Sequence, residues 1–394
     1  MEAVIASLIV LLLVGAAIGL MIRGVFRGVA ALVGLALVLA GLYACTAGLG
    51  GRTSEKKKEE TVSITAAASA NGWRVTIGGN ADGPFLVKQD GIDVARPKDR
   101  GTITLPEPTV SHDNYRPRAI RTFQVVSTKD DVKASTEVCS PVVILAARGT
   151  NENPRTFITR QQKKQFGHGI GSRGWRTWEY VQQDLGLPKG TDNAVVSAHP
   201  VKYPALPISG ITGYSGSRND GTQALLADWH EVTKKCPATQ IVMIGYSQGA
   251  DVVASAWQKG KLAGSRLSIA RAIDRDQVRS VVLYADPHFN RRWADQGVAR
   301  PRTSSFIRDG VFGARRLFTD DELGPVQSWC LLQDPICQRD NLAYPWHGSQ
   351  YDRYEEWAAA DIARAVTPGL RAGGYTVKDA ADPPLPPDPG QYRP

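Results

Sequence analysis

The sequence has no nucleic-acid-binding motif, no basic stripe interleaved with aromatics and no internal repeat. The first two absences remove the electrostatic footprint of a DNA or RNA binder, and the third removes the solenoid and propeller architectures. Neither sign of charge dominates strongly. A formal net charge of +9 over 394 residues fits attraction to an anionic envelope or membrane surface, and equally fits solubility alone. Histidine is scarce: His112, His168, His199, His230, His288 and His347 are the six candidates for a general base. Cysteine is scarce too, at Cys45, Cys139, Cys236, Cys330 and Cys337. With 42% hydrophobic and 22% charged residues, the composition is that of a globular protein, long enough for two domains plus targeting segments.

Residues 1–50 read as membrane or signal segments. Residues 3–22 contain no charge and are long enough to span a bilayer; residues 28–44 form a second, borderline run after Arg23 and Arg27. Three readings compete. The two runs could pair as apolar helices, packed through Gly15 and Gly19. They could be a signal anchor behind an extension. Alternatively, translation starts at Met21, and Leu42-Tyr43-Ala44-Cys45 ends a signal peptide as a lipobox with a lipid-modified Cys45. Arg52 and Lys56 to Lys58 pull the following side toward the cytoplasm. The remaining cysteines argue for the opposite, and they carry more weight below.

Residues 51–60 are a polar linker. From 61 to 134, short alternating stretches at 62–65, 73–77, 85–87, 102–105 and 120–126 are separated by Gly, Asn, Asp and Pro. That spacing predicts a small β-sandwich of immunoglobulin or fibronectin type III style. It carries no site chemistry and reads as a spacer or binding module. From Cys139 the pattern changes. Strand-like runs at 142–146, 194–197, 241–245 and 280–285 alternate with helical stretches at 221–235 and 248–259, and 351–366 reads as a closing amphipathic helix. This is the α/β signature of a mostly parallel sheet covered on both faces by helices. The stretch 373–394 is proline-rich and reads as a disordered tail.

Four cysteines beyond Cys45 allow three pairings, and sequence alone does not choose. Cys139 and Cys236 each sit just before a run that reads as a buried strand. Neighbouring strands lie about 4.8 Å apart, and a disulfide wants Cα atoms roughly 4.4–6.8 Å apart. Cys139–Cys236 would therefore staple the starting ends of two strands, and Cys330–Cys337 would close a short loop. Two disulfides imply an oxidising compartment, hence export.

Gly245-Tyr246-Ser247-Gln248-Gly249 is a G-x-S-x-G pentapeptide between an apolar strand and a helix-compatible segment. In that context it predicts a nucleophile elbow, with Ser247 on a strained turn at the C-terminal edge of the sheet. A serine hydroxyl needs a base. Only His288 and His347 follow Ser247, and the order Ser, acid, His favours His347 because Asp334 precedes it inside the Cys330–Cys337 loop. Asp334 would bond the far ring nitrogen and fix the tautomer. Asp286 is the rival acid, with His288 the rival base; Asp251, on the elbow helix, reads as solvated or structural. The backbone amide of Gln248 is one oxyanion donor. Thr150, on the loop after the first strand of the catalytic region, is the second, with Gly149 allowing the tight turn.

The blocks together resemble the cutinase family. They are Cys139 before Ala147-Arg148-Gly149-Thr150; Val201-Lys202-Tyr203-Pro204-Ala205; Cys236-Pro237 before Gly-Tyr-Ser-Gln-Gly-Ala; and Cys330, Asp334, Cys337 and His347 in order. The resemblance covers residues 138–372. It implies an α/β-hydrolase fold and a serine esterase acting on lipid-like or polyester substrates without a metal or other cofactor. Ser247, Asp334 and His347 would be the triad, and Thr150 and Gln248 the oxyanion residues. The segment 161–180, with Trp175 and Trp178, is longer and more aromatic than in plant-pathogen cutinases, and the N-terminal module is additional. The expectation is thus an ester hydrolase that is secreted or held at the extracellular face of the cell membrane, with lipid or polyester esters and the envelope as partners. The alternatives are an acyltransferase using the same triad, or an inactive protein that binds the envelope.

Overall fold

The computed structural model describes residues 60–105, 119–152, 169–188, 193–207, 210–259, 275–301, 308–339 and 347–381. The chain divides into two units, Met1–Glu59 and Glu60–Pro394. The apolar runs of residues 1–50, Cys45 and nearly all of the linker lie outside the described residues, as do residues 382–394 of the tail. Among the described residues no helix is long and apolar enough to cross a membrane.

The second unit begins with seven short strands: β1 (Val62–Ser69), β2 (Gly72–Gly79), β3 (Phe85–Gln89), β4 (Ile92–Ala95), β5 (Gly101–Leu105), β6 (Ile120–Ser127) and β7 (Lys133–Cys139). They form two antiparallel sheets, ordered β1-β2-β5 and β4-β3-β6-β7. Alternation explains their pairing. Trp73, Val75 and Ile77 from β2 and Phe123 and Val125 from β6 point into one shared core, with the Trp73 and Phe123 rings 5.5 Å apart. β7 runs past position 134, where the sequence placed the end of the module, and carries Cys139 itself.

Two residues later the second architecture starts. Six parallel strands, β8 (Val142–Ala147), β9 (Val196–Pro200), β10 (Gln240–Tyr246), β11 (Val278–Tyr284), β12 (Ala299–Arg300) and β13 (Val326–Trp329), are ordered β12-β13-β11-β10-β8-β9. β8 shows why its run is apolar throughout. Val143, Leu145 and Ala147 face one core, while Val142, Ile144 and Ala146 face the other. The first core is covered by α2 (Gly210–Lys235) and α3 (Gln248–Lys259) through Leu225, Trp229, Val253 and Trp257. The second is covered by α1 (Gly171–Asp184) and α5 (Glu355–Ala372) through Trp178, Val181, Ile362 and Val366. One short helix, α4 (Asp320–Leu323), precedes β13. This is the α/β arrangement, a parallel sheet covered on both faces by helices, that the sequence predicts. All six strands end at the same edge, where α/β sheets place their ligands.

Three expectations need correction. α2 starts at Gly210, eleven residues before the expected 221, and at Gly221 the helix passes close to its neighbours. A Cβ there would stand 2.7 Å from Val252 and 2.8 Å from the Tyr203 ring. The closing helix is shifted: a 3-10 turn fills Ser349–Arg353, and α5 runs on to Ala372. The stretch 373–381 is packed rather than loose. Val377 is buried, Tyr375 touches the cores of both architectures, and the Lys378 amide donates to Leu185 O at 3.1 Å.

Both disulfides form, Cys139–Cys236 and Cys330–Cys337, each with Cα atoms 5.9 Å apart. The first closes 97 residues of chain. Replacing both members by serine (Cys139→Ser with Cys236→Ser) is expected to cost about 2–4 kcal/mol, read as a lower denaturant midpoint. An unchanged midpoint would mean that the staple adds nothing.

Candidate active site

The site is built on the junction between β10 and α3. Ser247 stands there with φ 54°, in the left-handed region that a side chain rarely adopts. Two missing Cβ atoms allow the turn. A Cβ on Gly245 would stand 2.3 Å from Gly249 O, and one on Gly249 would stand 2.0 Å from Ala147 O. The backbone is held by bonds from Ser247 N to Tyr284 O at 2.8 Å and from the Ala250 amide to Ser247 O at 2.9 Å.

Ser247 Oγ lies 2.9 Å from Nε2 of His347. Nδ1 of His347 lies 3.0 and 3.1 Å from the two carboxylate oxygens of Asp334. All three side chains are buried. A buried carboxylate must be satisfied from all sides, and Asp334 is. Besides the imidazole it accepts from Ile336 N at 2.6 Å, Cys337 N at 3.1 Å and the Tyr351 hydroxyl at 2.7 Å. Burial and the adjacent carboxylate push the Tyr351 phenol well above its ordinary range, so it stays a donor.

Gln248 is the first residue of α3, and first-turn amides have no acceptor within their own helix. Its side chain is tied down by Ser217 Oγ at 3.4 Å and by donation to Leu206 O at 3.2 Å. Thr150 follows β8, whose Ala147 pairs with Gly245 of β10, so register brings Thr150 and Ser247 to the same edge. The Thr150 loop is braced by Glu152, which accepts from Gly149 N at 2.6 Å and from Ser172 N and Oγ at 3.1 and 2.9 Å.

The rival residues go elsewhere. Asp286 accepts from His288 N at 2.8 Å and from Arg315 Nε at 3.3 Å. His288 Nδ1 faces Gly313 O at 3.2 Å, and its Nε2 is 3.7 Å from Asp251. Asp251 is fully buried and bonded to Arg315 at 2.5 Å, not solvated. Burial opposes its charge, yet Arg315, His288 and Arg218 hold its carboxyl below the ordinary value. This network braces the elbow helix from behind. The arrangement at Ser247 sets a hydroxyl against a base whose far nitrogen is held by a buried carboxylate, which suits it to nucleophilic attack.

A family model described as Cutinase matches residues 138–366, more than half of the chain. The chain belongs to the cutinase family. Among relatives of the cutinase family, acetylxylan esterase of Hypocrea jecorina is 28% identical over 189 residues, or 43% of this chain and 60% of that protein. Carboxylesterase Culp1 of Mycobacterium tuberculosis is 25% identical over 209 residues, or 52% and 71%. A solved acetylxylan esterase at 0.90 Å resolution is 22% identical, covering 58% of this chain and 100% of that one with a TM-score of 0.43.

Sequence reasoning missed Tyr351, Glu152 and Arg173. Arg173, buried on α1, pairs with Asp352 and, at 2.5 Å, with Glu355. Burial works against its charge, but the two carboxylates raise its pKa above the guanidinium norm. Burial also pushes Glu355 up to about 7, against the pull of Arg173 and Arg176. Nothing local singles out Arg173, one polar residue among several on α1, and its partners Asp352 and Glu355 lie about 180 residues away. Gly249→Ala is expected to lower the melting temperature by about 5–10 °C and to abolish labelling by a fluorophosphonate. Wild-type values for both would overturn the close approach at the elbow.

Proposed function

We propose that this cutinase-family chain is an exported serine carboxylic-ester hydrolase acting on lipid-like or polyester acyl esters through an acyl-enzyme. One observation carries the reading: the unbroken hydrogen-bond line from Ser247 Oγ through His347 to Asp334, standing on a left-handed elbow. Ser247 Oγ attacks the ester carbonyl carbon while Nε2 of His347 takes its proton. Asp334 stabilises the imidazolium and holds the tautomer with Nδ1–H toward it. The carbonyl oxygen gathers negative charge against the amides of Gln248 and Thr150. Collapse of the tetrahedral adduct breaks the ester C–O bond, and the imidazolium gives its proton to the leaving alkoxide. Water, deprotonated by His347, then attacks the acyl-enzyme; the acid leaves and Ser247 regains its proton.

The apolar acyl class is supported by what surrounds the elbow. Leu206 and Phe312 are 44% and 38% exposed. Leu206 is tied through its carbonyl to Gln248, and Phe312 packs on Tyr214, whose hydroxyl donates to Asp251 of the elbow helix. The relatives' names, acetylxylan esterase and carboxylesterase, fit ester cleavage. Two disulfides favour an oxidising compartment. The seven-stranded module we take to be an immunoglobulin-like β-sandwich spacer, and residues 1–50, with Cys45 as a lipid site, to be the anchor or signal that places the enzyme at the outer membrane face. An inactive envelope-binding protein would have no use for a serine hydroxyl aligned through His347 with Asp334.

Ser247→Ala should reduce p-nitrophenyl ester turnover about 10⁴-fold or more while leaving thermal unfolding within a few degrees. Asp334→Asn should lower kcat about 10⁴-fold, since the amide favours the wrong tautomer. Substantial turnover by the alanine variant would sink the esterase reading.

A further inference from the structure

The hydrolase reading leaves one feature unused: how the segment that carries His347 is held. The imidazole is fixed at its two nitrogens, but those bonds leave the ring free to pivot with its own backbone. Two groups close that freedom, and both act on main-chain carbonyls. The Tyr246 hydroxyl donates to His347 O. Arg173 Nη2 donates to Gly348 O at 2.5 Å.

Tyr246 is the second residue of the elbow, so the group holding the base is adjacent in sequence to the nucleophile. Its ring lies over the imidazole, with centroids 5.3 Å apart and planes 27° from parallel. Its other neighbours belong to the same machinery. A Cβ on Gly149 would stand 2.7 Å from the ring, so the loop bearing Thr150 packs directly on it. Tyr351, which donates to Asp334, meets it edge-on at 6.3 Å. The Arg173 guanidinium completes the set, 5.5 Å from the ring centroid. It is itself pinned by Asp352, just beyond the histidine loop, and by Glu355 at the start of α5.

We propose that Tyr246 and Arg173 are positioning residues, a two-point clamp on the carbonyls of residues 347 and 348 that sets the imidazole within reach of Ser247 Oγ. This rests on the hydrolase reading above and adds to it a reason for tyrosine before the nucleophile and for a buried arginine on α1. A lysine would not replace the arginine, because one ammonium cannot span the Gly348 carbonyl and two carboxylates as the planar fork does.

Tyr246→Phe deletes one hydroxyl and keeps the stacked ring. Because misplacement of a reacting group by about 1 Å costs on the order of 100-fold in rate, kcat on a p-nitrophenyl ester should fall about 10- to 100-fold. KM should stay within about two-fold, and fluorophosphonate labelling of the intact protein should slow in parallel with kcat. Arg173→Lys should act in the same direction. The double variant should lose less than the product of the two singles, because both grip one segment. Wild-type kcat and labelling in Tyr246→Phe overturn the clamp. So does a raised KM with unchanged kcat, which would mean that the hydroxyl touches substrate. If Tyr246→Phe proves unstable, Arg173→Lys with a native melting temperature decides: unchanged kcat overturns the proposal. Failure of the hydrolase reading itself is seen separately, as turnover surviving in Ser247→Ala.

Discussion

The site depends on a backbone contact rather than on a side chain. The first turn of α3 lies so close to the end of β8 that position 249 has no room for a Cβ: it would meet Ala147 O at 2.0 Å. That contact forces the chain to reverse from strand to helix within one residue, and Ser247 takes the left-handed conformation as a result. Such a conformation costs about 1–3 kcal/mol for a residue with a side chain. It is offset because the same turn is bonded on both sides, from Ser247 N to β11 and from α3 amides back to Ser247 O. The hydroxyl is thereby lifted clear of the sheet edge, beside the positive end of a helix.

The second constraint is the burial of charge. Asp334 is wholly removed from solvent, and an ionised carboxylate there is tolerable only if its oxygens are fully engaged. The loop between Cys330 and Cys337 meets that demand locally through two backbone amides, Ile336 and Cys337. Tyr351 and His347 meet it from a distance. Because the local donors sit in a loop closed by a disulfide between residues seven apart in sequence, the lone pair facing His347 is fixed too. The disulfide therefore acts through geometry: it closes the loop whose amides orient the Asp334 carboxylate. Asp251 shows the contrasting case, in which an equally buried carboxylate is neutralised by Arg315 and left with no exposed chemistry.

How far each feature could be read in the sequence follows from how local its cause is. Ser247 and its flanking glycines are one pentapeptide between an apolar run and a helical pattern, so the elbow is legible without a partner. His347 and Asp334 were found by chain order and scarcity: only two histidines follow Ser247, and an acid lies between two cysteines. Arg173 left no such trace, since its partners Asp352 and Glu355 lie about 180 residues along the chain; Tyr351 and Glu152 act over shorter separations, but no motif links them to Asp334 or to the Thr150 loop. The start of α2, expected at 221 and found at Gly210, was hidden for a similar reason at Gly221. Its lack of a Cβ serves Val252 and Tyr203 across a helix interface, while local propensity alone marks glycine as a helix boundary. At residues 373–381 the proline-rich composition farther along hid two apolar anchors, Tyr375 and Val377, and packing outweighed composition.

The two architectures of the second unit are joined by little chain but by many contacts. Only Ser140 and Pro141 separate β7 from β8, and Cys139 is bonded to Cys236 just before β10. Around that short join, Ala119 N donates to His199 Nδ1, Lys235 pairs with Glu137, and Tyr375 contacts both cores. Domains linked by exposed, flexible segments move independently; here covalent, polar and apolar ties all cross the same boundary. Bending there would have to break several of them together. The β-module is thus fastened to the sheet that holds Ser247 at several points rather than through a single hinge.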